Sequence, residues 1–285
     1  MISALNRLAN GNLEVTITIP WEKVKQAYDK VLTKAVGETT LKGFRKGKAP
    51  KKLVEQKANK NTLYEETLKL LVPEIYSQAV KELKIKPVIA PHLKVISSQE
   101  GKDWQIQAVT CELPDIKLEE YQSEIRKATA VDKIWVPGKE QKGKEKKENE
   151  EEKLSKIFKT LQETIKFQIP EILVQDEVNR MLSRLIDQTA KLGLTVDQYL
   201  VSVGKNIDQL KEEYRKQAEE LLKIELILSA IADKENISVG DDEIEKLIQA
   251  VPDEKTKNNL NTPEQKLYLR QLLRKRKVID NLSRL

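Results

Sequence analysis

Between Lys133 and Lys153 the chain reads KIWVPGKEQKGKEKKENEEEK; after Val136 this stretch offers almost no apolar side chain and carries both charges densely. Such a composition cannot bury enough apolar surface to offset the entropy of ordering a core. The segments on its two sides must therefore each close a core of their own, and 285 residues suit two domains of ordinary size. The expected division is residues 1–126, a charged linker over 127–153, and residues 154–285. If flexible, the charged stretch spans about 25 Å root-mean-square; a salt-bridged exposed helix is the alternative that its charge pattern leaves open.

The front half mixes two periods. In LEVTITI, Leu13, Val15, Ile17 and Ile19 alternate with Glu14, Thr16 and Thr18, the pattern of a half-buried strand. Pro20 suits the first turn of a helix, and Trp21, Val24, Ala27, Tyr28, Val31, Leu32 and Ala35 recur at helical spacing, so a helix is expected to about Val36. Glycines 37, 43 and 47 and Pro50 then break the pattern into a loop tip. A short helix over Lys51–Ala58 comes next, and Thr62 with Glu65 forms a capping-box pattern opening a longer helix, with a kink or break expected at Pro73. HLKVIS, a turn at Gly101 and DWQIQAVTCEL predict an antiparallel hairpin. Together these make an α+β N-terminal part, a small antiparallel sheet packed with helices.

From Leu154 onward the spacing is helical. Ile157, Leu161 and Ile165 form one stripe; Val174, Val178, Met181, Leu182, Leu185 and Ile186 form a second; Leu210, Tyr214, Ala218, Leu221, Leu222 and Ile231 form a third. The run KIELILSAI is apolar on more than one face, which predicts a central helix with neighbours on two sides. The C-terminal part is expected to be all-α.

Few chemistries fit the side chains present. Cys111 and His92 are each alone, which removes intrachain disulfides, cysteine metal clusters and most nucleophile–base pairs, so no catalytic, cofactor-binding or metal site is assigned. His92 is expected to be structural or superficial, and Cys111 a small core residue. Glu151 and Glu152 belong to a charge run. The basic run Arg274–Lys277 is expected to offset a helix dipole, with RNA contact the lesser alternative. No run approaches the roughly 20 apolar residues of a spanning helix, and the N-terminus lacks the pattern of a secretion signal, so a cytoplasmic location with no membrane partner is expected.

One segment is strongly one-sided. Around GFRKGKAP, residues 43–50, lie Lys42, Arg45, Lys46, Lys48, Lys51, Lys52, Lys57 and Lys60, opposed by Glu55 alone. Phe44 beside Arg45 pairs an apolar or stacking surface with a planar guanidinium, and the glycines permit close backbone approach. Composition leaves two readings open: a polyanion contact, or a solvated basic loop.

The order of these parts resembles a known family. LEVTITIP, an amphipathic helix, GFRKGKAP, a second long helix and a hairpin ending in CELPDIKL look like the ribosome-binding domain of the trigger factor family over roughly residues 10–126. Gly43, Phe44, Arg45, Lys46, Gly47 and Pro50 stand at the positions of that family's loop motif, and Lys48 lies within it. FQIPEILVQDEVNRMLSRL, KLGLTVDQYL and the run from Glu213 to Ile244 are similar to the family's C-terminal domain, which implies helical arms.

The resemblance implies an ATP-independent chaperone that docks on the large ribosomal subunit, on protein and RNA near the tunnel exit, and holds nascent polypeptides to assist their folding. It also allows self-association off the ribosome. Full-length members carry a prolyl isomerase domain between the two parts; here the charged stretch stands in its place, so no isomerase activity is expected. A general nucleic-acid-binding protein using the same loop, or a folding enzyme with residual isomerase activity, are the competing readings.

Overall fold

The computed structural model describes residues 2–40, 44–130 and 143–285. It falls into two compact units: Met1–Leu113 with Pro170–Leu173, and Pro114–Ile169 with Val174–Leu285.

The first unit is a four-stranded antiparallel sheet, order β1-β2-β4-β3, of β1 (Ile2–Arg7), β2 (Asn12–Ile19), β3 (His92–Ser97) and β4 (Trp104–Cys111). The alternation of β2 works as its spacing predicts: Leu13, Val15, Ile17 and Ile19 are buried and face Trp104, Ile106 and Ala108 of β4 in one core. Helices α1 (Trp21–Glu38) and α3 (Lys60–Leu83) supply Val24, Ala27, Leu71, Ile75 and Ala79 to that core. Pro20 cannot cap α1 with a side-chain oxygen; the carboxylate of Asp103 accepts the first helical N–H, from Trp21, at 2.9 Å.

One strand was not foreseen, the start of the long helix differs, and no break occurs at Pro73. Strand β1 has no counterpart in the sequence reading. The long helix starts at Lys60, where Asn59 caps it by accepting from the Asn61 N–H at 3.0 Å, so Thr62 and Glu65 lie inside the helix and form no capping box; asparagine is the stronger N-cap residue. And α3 runs unbroken through Pro73, which lies on the exposed side of the helix. The carbonyl left without a donor there belongs to exposed Lys69, so water can satisfy it.

The second unit is helical. Its elements are α4 (Tyr121–Ala130), α5 (Gly143–Thr164), most of α6 (Glu171–Lys191), α7 (Val196–Ser202), α8 (Ile207–Lys234), α9 (Asp241–Gln249), α10 (Glu254–Leu260) and α11 (Pro263–Ser283). As KIELILSAI predicts, α8 is central: Ile227, Leu228, Ile231 and Ala232 pack with Tyr121 and Ile125, with Ile157, Leu161 and Ile165, and with Val278 and Leu282. Two residues assigned to apolar stripes, Ile186 and Leu221, are instead exposed.

Of the charged stretch, residues 127–130 close α4 and 143–153 form the first half of α5, while 131–142 lie outside the described residues. Lysine and glutamate are good helix formers, and their mixed spacing supports a helix without any core. The basic run of α11 lies well before the helix end. Arg270, Arg274, Lys275 and Lys277 pair with Asp241, Asp233, Glu225 and Glu243, and Arg274 and Lys277 also donate to the carbonyls of Ile237 and Ser238. Arg270, Arg274, Lys275 and Lys277 thus stitch α11 to α8, to α9 and to the turn between them.

Tyr121 donates to the Glu235 carboxylate at 2.7 Å, and burial, then that hydrogen bond, push its phenol up to about 12. A raised phenol favours the folded state below its ordinary value of 10.0, and the advantage disappears as pH climbs towards 12. Tyr121→Phe is expected to cost about 1–2 kcal/mol at neutral pH, with the gap to the parent closing above pH 10 in urea titrations. Ile17→Ala, at a fully buried strand position, should cost about 2–5 kcal/mol in the transition reported by tryptophan fluorescence.

Candidate functional site

The basic loop leaves α1 and returns at α2 (Lys51–Lys57). Gly43 lies outside the described residues; Phe44, Arg45, Lys46, Lys48 and Pro50 are exposed, with Phe44 at 40%. Arg45 and Lys48 close a tight turn through the Lys48 N–H to the Arg45 carbonyl at 2.9 Å, and Gly47 takes the third position with φ +78°. That geometry requires glycine. The Gly47 N–H reaches the Thr39 carbonyl at 3.5 Å, tying the turn to the end of α1.

Behind the turn the chain is pinned by a residue that sequence reasoning missed. Ala49 is buried against Leu32, Val54 and Leu63, a small cluster with Tyr28, Val31 and Ala35 around it. The signal was present, since Ala49 is the one small apolar side chain between two lysines and a proline, but a single alanine carries no period. Pro50 then takes the N-cap position of α2, and its carbonyl accepts from the Leu53 and Val54 N–H groups. Phe44, Arg45 and Lys46 therefore project from a loop anchored on its return side.

The sole acid of the stretch is engaged elsewhere: Glu55 accepts from the Tyr28 hydroxyl at 2.9 Å. Burial, and then this hydrogen bond, hold the Tyr28 phenol far above its ordinary range, so it stays a donor at any physiological pH. Tyr28 leans on Tyr64 at 5.7 Å between ring centroids, and Tyr64 meets Trp104 edge-on at 5.1 Å. Beside this column an open cleft of about 720 Å³ lies between α1 and α3, with Val31 and Leu63 in its wall and Lys30, Lys34 and Lys69 among its lining. Glu38 and Glu66 share that lining, and Glu66 pairs with Lys69, so the rim carries both charges over an apolar wall.

A second feature lies on the helical unit. The end of α6, α7 and the start of α8 close on Leu185, Leu200 and Leu210, with capping boxes at Thr195–Gln198 and Asn206–Gln209 fixing the two turns. Around this small core Leu192, Leu194, Val201, Val203 and Ile207 are exposed, Val201 at 82%. Large apolar side chains gathered at one end of a helical hairpin form a surface suited to other apolar groups. No group of three His, Cys, Asp or Glu side chains among the described residues is arranged to hold a metal, and no helix among them is long and apolar enough to cross a membrane.

Residues 1–134 match the family model described as "Bacterial trigger factor protein (TF)", and residues 138–284 match that described as "Bacterial trigger factor protein (TF) C-terminus". Residues 135–137 are all that separates the two spans. The trigger factor of Staphylococcus epidermidis (strain ATCC 35984) is 24% identical over 375 residues, covering 84% of this chain and 87% of that one. An aligned stretch longer than the 285-residue chain must cross gaps in it. The trigger factor of Staphylococcus carnosus (strain TM300) is 39% identical over 122 residues, 42% of this chain and 28% of that relative. A solved structure described as "Promiscuous Substrate Recognition in Folding and Assembly Activities of the Trigger Factor Chaperone" superposes with TM-score 0.68 at 14% identity over 100% of this chain and 99% of that one, a likeness of fold.

The loop's dependence on Gly47 is open to measurement. Gly47→Ala forces a side chain onto a left-handed residue with its Cβ 3.4 Å from the Gly37 carbonyl, and should cost about 1–2 kcal/mol. Limited proteolysis is expected to cut the 40–50 segment faster in the variant than in the parent.

Proposed function

Because the chain belongs to the bacterial trigger factor family, we propose that it is a ribosome-associated, ATP-independent chaperone of the cytoplasm that binds nascent polypeptides and assists their folding. The docking part, residues 1–126, and the helical part, residues 154–285, divide the work. Gly43, Phe44, Arg45, Lys46, Gly47, Lys48 and Pro50 form the ribosome-binding loop. The observation that carries this is the exposed turn Phe44–Lys48 held on its return side by buried Ala49. A pinned turn loses little conformational freedom on docking, so more of each charge-assisted contact is retained as affinity.

The exposed apolar residues at the α6–α8 turns are the surface offered to unfolded chains, each large side chain contributing at most roughly 1.5–3 kcal/mol if fully buried. No nucleotide is involved. Holding by many weak, shapeless contacts suits clients that share nothing except exposed apolar groups. Self-association of the free protein through the same surfaces is part of the proposal.

We assign no prolyl isomerase activity. The two family spans abut, and a catalytic domain of ordinary size does not fit into the residues between them. A proline-containing peptide assay at micromolar protein should stay at the uncatalysed rate; catalysis above background would restore the enzyme reading.

Co-sedimentation tests the docking. The parent protein should pellet with large ribosomal subunits, and Phe44, Arg45 and Lys46 all changed to alanine should weaken that binding by at least about tenfold, the loss of roughly one charge-assisted contact. Equal affinity for any free RNA of the same length would favour a general nucleic-acid-binding protein instead.

A further inference from the structure

Helix α2 turns two adjacent side chains towards the rest of the first unit. Val54 enters the cluster of Leu32, Ala49 and Leu63, and Glu55 accepts from the Tyr28 hydroxyl at 2.9 Å. Neighbouring residues lie about 100° apart around a helix axis. Apolar burial has no direction, so Val54 alone leaves this seven-residue helix free to roll; a hydrogen bond at the second point stops the roll. The roll matters because it reaches the loop. Pro50, at the N-cap of α2, is held at φ −59° by its ring, so a rotation of α2 is carried through buried Ala49 to the Arg45–Lys48 turn. On the other side the turn is tied to α1 by the Gly47 N–H on the Thr39 carbonyl at 3.5 Å, a long and therefore weak bond.

We propose that Glu55 and Tyr28 are positioning residues for ribosome docking: without touching the partner, their hydrogen bond sets the direction in which Phe44, Arg45 and Lys46 are presented. This rests on the docking reading and adds to it two residues outside the loop. Both are partly buried, whereas Phe44, Arg45 and Lys46 are exposed. Tyr28 is itself held from behind, since it leans on Tyr64 at 5.7 Å and Tyr64 meets fully buried Trp104 edge-on at 5.1 Å. The stop on α2 is therefore as stiff as the core that carries it.

The surrounding charges separate this role from a purely electrostatic one. Lys51 and Lys52 lie one turn before Glu55 on α2, and among the described residues no ion pair joins either to it. Glu100, whose charge also helps raise the Tyr28 phenol, pairs with Lys60 at 3.4 Å. Glu38 and Glu66 line the cleft between α1 and α3, where Glu66 pairs with Lys69. Removing the Glu55 charge makes the tip more positive and, on charge alone, tightens its hold on a polyanion. Removing the acceptor instead frees α2, and docking must then also order the loop. The two roles predict opposite signs.

The test uses the full chain and co-sedimentation with large ribosomal subunits at one fixed ionic strength, with tryptophan fluorescence confirming that each variant is folded. Tyr28→Phe and Glu55→Ala should each weaken binding about fivefold, a factor within reach of one lost hydrogen bond. Glu55→Gln should stay at the parent affinity, because its amide carbonyl still accepts from Tyr28. Where Phe44, Arg45 and Lys46 are all alanine, Tyr28→Phe should produce no further loss, since the groups it orients are gone. Parent affinity in both Tyr28→Phe and Glu55→Ala overturns the proposal. So does tighter binding by both Glu55 variants, which marks the carboxylate as a mere opposing charge. An equal further loss in the triple-alanine background also overturns it, because the substitution then acts through the whole fold. Any of these results with the parent protein still pelleting refutes the positioning role alone, whereas failure of the parent to pellet refutes the docking reading.

Discussion

The Tyr28 hydroxyl on Glu55 joins the rigid sheet to the basic loop. Trp104 lies fully buried at the start of β4, Tyr64 meets it edge-on, Tyr28 leans on Tyr64, and Glu55 of α2 accepts at the end of that column. Helix α2 is only seven residues long and could not stand alone. Its place is set by Val54 in the small cluster and by this one acceptor. Because α2 fixes the return of the loop, the direction in which Phe44 and Arg45 project is inherited from the core through three rings and a hydrogen bond. The acid that might have neutralised the loop's cations is the one recruited for this structural duty.

Charge serves two unlike purposes in the two units. In the first, lysines and an arginine crowd a tip whose only acid faces inward. In the second, Arg270, Arg274, Lys275 and Lys277 of α11 meet carboxylates on α8 or α9. A net charge of +6 averages over both. Apolar side chains divide in the same way: Ile227 and Ile231 on α8 disappear into a core, while Leu221, two turns earlier on the same helix, is 52% exposed.

What could be read in the residues tracked the strength of their periods. Strand β2, helix α1, the β3–β4 hairpin and central α8 each carry a regular pattern, and each forms. Strand β1 was invisible because its core-facing positions, opposite Ile17, Val15 and Leu13, are Ser3, Leu5 and Arg7. A single apolar residue makes no alternation, and the strand is held by pairing with β2 and by Ser3 and Arg7 binding Glu82 and Glu112. Ala49 was missed for a related reason, since burial of one small residue depends on what surrounds it in space. Leu221 and Ile186 satisfied helical spacing, but spacing says which side chains share a face and not whether anything covers that face. The basic run of α11 misled because its carboxylate partners lie far away in sequence.

The turn between β1 and β2 reaches forward along the chain. The Asn10 carbonyl accepts from the Glu171 N–H at 3.1 Å, the Asn12 side chain accepts from the Ile172 N–H at 2.9 Å, and a side chain at Gly11 would come within 3.1 Å of Pro170. The first unit is thus discontinuous, with residues 114–169 an excursion between its main part and its last four residues. During its own synthesis, the sheet and its covering helices emerge long before Pro170–Leu173 do. For that interval Asn12 lacks its partner from Ile172, and the unit reaches its finished form only after residues 114–169 of the helical unit have also been made.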